Sequence, residues 1–109
     1  LKDFGAKEVY FVVACPPVMS PCFYGVDMPT KGELIAGNMS EDEIEKYLEV
    51  DALLYQSINN LVEAVTRKGN HYIDTPCIAC LDGNYVANDI NAAKIAQMEA
   101  MRVNDRNGK

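Results

Sequence analysis

Two cysteines two residues apart, Cys77 and Cys80, and a third far upstream in the run Pro16-Pro17-Val18-Met19-Ser20-Pro21-Cys22-Phe23-Tyr24-Gly25-Val26-Asp27 constrain this chain more than any other feature. A tight turn brings both sulfurs of a Cys-x-x-Cys pair to one side, so the pair can grip one metal ion or cluster. A thiolate arriving from Cys22 would then tie two distant stretches of chain to one point. Such sites commonly use four ligands, so three leave one to be found. Spacing alone leaves zinc, an iron–sulfur cluster, a redox pair and chance all open, because zinc and iron–sulfur share thiolate ligands. A thioredoxin-type pair is the least favoured, since the residues around Cys77 predict neither a preceding strand nor a helix opening at the pair.

A chain of 109 residues is one domain or part of one. Its 49% hydrophobic and 24% charged residues match ordinary globular usage and argue against long disorder. A net charge of −6 and a pI near 4.6 speak against nucleic-acid or anionic-membrane partners, which call for a basic face. No apolar run approaches the ~20 residues of a membrane helix, and Leu1-Lys2-Asp3 does not read as a signal peptide. Four cysteines could make two disulfides in a secreted protein. Without a targeting segment, reduced thiols or metal ligands fit better, and the expected compartment is the cytoplasm.

Leu1 to Phe4 followed by Gly5 predicts the last turn of a helix with a left-handed cap. Glu8 to Ala14 is a nearly continuous apolar strand, as in a parallel sheet covered on both faces. Such a strand lacks early partners here, so the expectation is a chain whose N-terminus lies inside an α/β domain. Pro16, Pro17 and Pro21 make a stiff connector. Thr30 with Glu33 and Ser40 with Glu43 have capping-box spacing, and Ile44, Tyr47 and Leu48 predict one buried stripe. Ala52 to Gln56 is a second short strand. Ser57 can cap a helix through Arg67 with Leu61, Val62, Ala64 and Val65 on its apolar face, ended by Lys68-Gly69-Asn70. His71 to Asn88 is expected to be irregular, with a turn at Asp82-Gly83-Asn84. A final helix starts at Asn88 or Asp89 and runs to about Asn104, with Ile90, Ala93, Gln97 and Met101 along one side; residues 105–109 should fray.

Gly5-Ala6-Lys7-Glu8-Val9, Pro16-Pro17, Pro21-Cys22-Phe23-Tyr24-Gly25-Val26-Asp27-Met28-Pro29-Thr30 and Glu33-Leu34-Ile35-Ala36 resemble the C-terminal part of the amidophosphoribosyltransferase family. The resemblance continues through Glu43-Ile44, Tyr55-Gln56-Ser57, Leu61, Ala64 and Cys77-Ile78-Ala79-Cys80-Leu81-Asp82-Gly83-Asn84-Tyr85, covers roughly residues 1–90, and is weaker in the last helix. It implies an α/β fold: the C-terminal part of a type I phosphoribosyltransferase domain, with one or two parallel strands and several helices. Residues 1–30 would end the phosphoribosyltransferase core, and residues 31–109 would form a helical C-terminal region carrying the cysteine loop.

By the same resemblance, the intact enzyme joins an N-terminal glutaminase to a phosphoribosyltransferase. It makes 5-phosphoribosylamine from phosphoribosylpyrophosphate and glutamine, the first step of de novo purine biosynthesis, with Mg2+ bound elsewhere than in this segment. No catalytic residue of either reaction matches here, so the chain alone should be inactive and its partner is the remainder of the parent enzyme, in a homo-oligomer when intact. One branch of the family carries a 4Fe-4S cluster on four cysteines. Cys22, Cys77 and Cys80 match three of them, and the fourth position lies upstream of Leu1. The rival expectation is a stand-alone, non-enzymatic module binding zinc or a cluster.

Two departures stand out. Glu49 occupies a place where the family commonly has glycine, which weakens the cap of the preceding helix. Cys15 stands where a small residue is usual and reads as a buried small hydrophobe rather than a stand-in ligand. Elsewhere the plainer roles are favoured: solvation or packing for His71, a helix N-terminal turn for the acidic run Glu41 to Glu45, and packing for Met98 and Met101. Tyr24, Gly25 and Asp27 are candidates for contact with the active-site region, or for simple turn formation.

Overall fold

The computed structural model describes residues 1–66, 73–87 and 90–106. Strand β1 (Tyr10–Val13) and strand β2 (Ala52–Tyr55) pair in parallel, with Tyr10 opposite Ala52 and Val13 opposite Tyr55. Parallel neighbours need a long crossover. The intervening chain supplies it with a 3-10 turn (Lys31–Glu33), helix α1 (Ile35–Asn38) and helix α2 (Glu41–Leu48). Helix α3 (Ile58–Val65), helix α4 (Ala79–Asp82) and helix α5 (Ala92–Arg106) follow. The α/β class and the parallel pair are as the sequence predicts.

The ladder extends past the strands at both ends. Asp51 N–H donates to the Val9 carbonyl at 2.8 Å, and Gln56 N–H to that of Val13 at 3.0 Å. The Asp51 carboxylate also accepts Val9 N–H at 2.7 Å and Lys2 Nζ at 3.0 Å. Asp51 thus clasps the start of the chain to β2, and the Val9 bond first, then Lys2, holds its carboxyl below the usual range. Lys2–Phe4 is a 3-10 turn capped by left-handed Gly5, as expected.

Both predicted capping boxes form. Glu33 Oε2 accepts from Thr30 N–H at 2.9 Å, and Glu43 Oε2 accepts from Ser40 N–H at 2.8 Å. The first does not start a continuous helix: Leu34 is extended (φ −79°, ψ 117°) and separates the 3-10 turn from α1. Asn38 Nδ2 bridges the break, donating to the carbonyls of Lys31 and Leu34 at 2.9 and 2.8 Å. Gly37 lies where a Cβ would come within 3.1 Å of the Met19 carbonyl oxygen, so the Pro-rich connector runs hard against α1.

Several expected apolar stripes are not buried. Ile44 is 1% exposed, but Tyr47 on the same helix is 68% exposed and Leu48 is also open. Helix α3 buries no residue fully, and Val65 is exposed. On α5 the half-buried positions are Ile95, Met98, Glu99 and Arg102, not Ala93, Gln97 and Met101. Its first turn is capped by Asn91, whose Oδ1 accepts Lys94 N–H at 3.0 Å, and it runs past residue 105, where fraying was expected. Arg67 to Tyr72, His71 among them, and Asn88 and Asp89 lie outside the described residues.

The reason for the open stripes is a shortage of covering layers. Tyr10, Phe11, Val12 and Leu54 are 60, 49, 71 and 52% exposed, although β1 has the composition of a strand covered on both faces. Among the described residues the buried apolar side chains reduce to Ala36, Ile44, Ala79 and Leu81, joined by Pro16 and Pro21. The radius of gyration is 17.1 Å, against about 13 Å for a compact chain of this length. Two strands alone rarely hold, and among the described residues the sheet consists of these two.

Candidate functional site

The site is built from two loops. The first, Pro16 to Asp27, is anchored by the fully buried Pro16 and Pro21. The second reaches α4, where Ala79 and Leu81 are buried and Gly83 ends the helix in the left-handed region (φ 76°). Asp82 Oδ1 accepts Asn84 N–H at 2.8 Å, closing the predicted turn. The short helix through Cys80 corrects the expectation that this whole stretch is irregular. It forms because Gly83 supplies the cap: its N–H donates to the Ala79 carbonyl at 2.9 Å.

The two loops are stitched together by main-chain and side-chain hydrogen bonds. Met19 N–H and Ser20 N–H both donate to the Cys80 carbonyl at 3.0 Å. Tyr85 Oη donates to the Pro21 carbonyl at 2.7 Å, and Ala87 N–H donates to Tyr24 Oη at 3.0 Å. The Tyr85 ring lies 5.2 Å from Phe23 and 6.1 Å edge-on from Tyr24, within the range of favourable aromatic pairs. Bonds of this kind join the loop that carries Cys22 to the one that carries Cys80.

Helix α5 closes the arrangement from the other side. Arg102 Nη2 donates to the Cys22 carbonyl at 2.8 Å, and its guanidinium carbon sits 5.2 Å over the Phe23 ring. Glu99, one turn earlier on the same face, accepts Lys31 N–H at 2.6 Å. Among the described residues, Arg102 Nη1 is buried and has no hydrogen-bond partner.

These contacts leave a cavity of about 280 Å3 lined by Cys22, Cys77, Cys80, Tyr24, Val26, Met28, Ala79 and Tyr85. All three predicted ligand cysteines therefore face one space, and its remaining walls are largely apolar. Cys22 and Cys80 are half-buried, Cys77 is exposed, and all four cysteines are free thiols. Burial pushes the Cys80 thiol up, and the charges of Cys22, Cys77 and Cys15 add to that. Cys22 Sγ accepts Tyr24 N–H at 3.3 Å. Cys15 is exposed and outside the cavity lining, which corrects its reading as a buried hydrophobe: β1 ends just before it, and no element covers it. Among the described residues, no three His, Cys, Asp or Glu side chains are grouped so as to hold a single metal ion.

Over 99 residues the chain is 45% identical to the amidophosphoribosyltransferase of Methanocaldococcus jannaschii, a match covering 91% of this chain and 20% of that protein. This segment belongs to the amidophosphoribosyltransferase family. It spans about 20% of the length of the curated relatives it matches. Glutamine phosphoribosylpyrophosphate amidotransferase from B. subtilis, complexed with ADP and GMP, superposes with a TM-score of 0.66 at 34% identity, over 83% of this chain and 20% of that one. A structure described as the allosteric regulatory enzyme of purine biosynthesis gives 0.69 at 32% identity, over 90% and 21%. No family model matches the chain. Among the described residues no helix is long and apolar enough to cross a membrane.

Within this amidophosphoribosyltransferase segment, sequence reasoning missed Arg102 and Glu99. Both lie in the helix where the family resemblance is weakest, and their partners sit 80 and 68 residues away. Their spacing of three places them on one helix face, but nothing local says what that face meets.

Proposed function

We propose that this chain is the C-terminal part of the phosphoribosyltransferase domain of an amidophosphoribosyltransferase, and that it supplies scaffold and three ligands, Cys22, Cys77 and Cys80, to a structural 4Fe-4S cluster. The intact, cytoplasmic enzyme makes 5-phosphoribosylamine from phosphoribosylpyrophosphate and glutamine, with Mg2+ held outside this segment. Residues 1–30 end the catalytic core and residues 31–109 form the cysteine-bearing helical region. The catalytic groups belong to the remainder of the parent, which also provides the fourth cluster ligand and covers the open faces of β1 and β2.

The observation that carries the reading is the meeting of Cys22, Cys77 and Cys80 in one cavity, from loops already bonded to each other. Thiolate sulfur is the donor that iron–sulfur clusters take. The absence of a single-ion grouping among the described residues is compatible with it, because in a four-iron cluster each cysteine binds its own iron and the sulfurs stand farther apart. When bound, such a cluster staples the two loops and adds folding free energy that the thin core does not supply. The stand-alone module is disfavoured by the exposed strand faces and the large radius of gyration.

The test is the iron and acid-labile sulfide content of the full-length parent, purified without oxygen. About four of each per chain are expected, with both lost in Cys22→Ser, Cys77→Ser and Cys80→Ser. Zinc in place of iron, or full iron and sulfide in Cys22→Ser, would overturn the assignment.

A further inference from the structure

Tyr24 meets the cysteine cavity in two ways. Its side chain lines the wall, and its main-chain N–H donates to Cys22 Sγ at 3.3 Å. A neutral thiol is a weak acceptor, so this bond is worth little while Cys22 is protonated. Bonds to an ionised acceptor are roughly twice as strong, and the sulfur that ligates a metal is the thiolate. The donor is held in place by contacts of its own. Tyr24 Oη accepts Ala87 N–H at 3.0 Å from the second loop, and the ring meets Tyr85 edge-on at 6.1 Å. Gly25 then turns the chain at φ 109°, a conformation that a side chain would strain. The N–H is thus aimed at the Cys22 sulfur by both cysteine-bearing loops.

We propose that Tyr24 is a positioning residue for the cluster: its main-chain N–H stays on the Cys22 sulfur when that sulfur ligates iron, and raises the reduction potential of the bound group. The proposal rests on the cluster reading above. Hydrogen bonds to the sulfurs are among the levers that set the potential of such clusters. An added electron makes the sulfurs more negative, so a fixed N–H dipole favours the reduced state. Removing it shifts the potential downward. Because the donor belongs to the main chain, it is deleted by replacing the amide nitrogen rather than by changing the side chain.

The experiment uses full-length parent protein purified without oxygen. Stop-codon suppression replaces Tyr24 by the α-hydroxy acid analogue of tyrosine, which turns its N–H into an ester oxygen and keeps the ring. The same replacement at Tyr47, an exposed residue of α2 outside the cavity lining, is the control. Iron and sulfide content and midpoint potential are measured on each. Wild type and the Tyr47 ester should agree, and the Tyr24 ester should carry the cluster at a more negative potential. A loaded Tyr24 ester with the wild-type potential overturns the proposal while leaving the cluster reading intact. If that ester does not load, pulsed EPR of the reduced cluster decides, on protein labelled with [15N]tyrosine. A tyrosine 15N coupling should appear and survive Tyr85→Phe, which removes the other tyrosine label from the cavity wall; its absence overturns the proposal. Wild type without iron and sulfide overturns the cluster reading, and this proposal with it.

Discussion

Glu49→Gly should stabilise the protein. Glu49 is the only non-glycine residue with positive φ among the described residues (φ 54°, ψ 36°). It follows α2 in a Schellman arrangement: its N–H donates to the Lys46 carbonyl at 3.2 Å, and Val50 N–H donates to that of Glu45 at 3.4 Å. The left-handed conformation costs an L-residue roughly 1–2 kcal/mol. Glycine removes that strain but adds unfolded-state entropy worth about 0.4–1 kcal/mol. The net gain is about 0.5–1 kcal/mol. Glu49 also places a negative charge at the C-terminal end of the helix, where the macrodipole disfavours it. Glu49→Ala separates the two causes, since it removes the charge and keeps the strained Cβ. Thermal and urea unfolding followed by circular dichroism on the three proteins decides the matter. If Glu49→Gly is no more stable than Glu49→Ala, positive-φ strain is not what limits this helix end.

Tyr85→Phe removes the bond to the buried Pro21 carbonyl and should cost about 1–2 kcal/mol, read as a lower urea midpoint at unchanged slope; an unchanged midpoint would mean that the two cysteine loops do not depend on this latch. Because the Asp51 carboxyl is held below its unfolded value near 3.9 by Val9 N–H and then Lys2, its stabilisation is full above that value and fades as pH falls through the lower folded one. Asp51→Asn should therefore flatten the loss of stability below about pH 4, as measured by urea midpoints across pH; an unaltered acid slope would refute the clasp.

The sequence alone determined what short-range chemistry decides. Both capping boxes, the Gly5 cap, the Asp82-Gly83-Asn84 turn and the two strands were legible because each depends on residues within a few positions of one another. The candidate ligands Cys22, Cys77 and Cys80 were legible as residue types with a shared chemistry. Only the tertiary structure decided that they line one cavity, because that rests on Met19, Ser20 and Pro21 bonding across to Cys80 and Tyr85. Burial was misjudged for Tyr47, Val65 and Met101 for a related reason. An apolar stripe records which face seeks cover, whereas exposure depends on whether another element is there to provide it. Arg102 is the clearest case: its neighbours in the helix carry no sign of Cys22, and the contact exists only because the fold brings the last helix against the first cysteine loop.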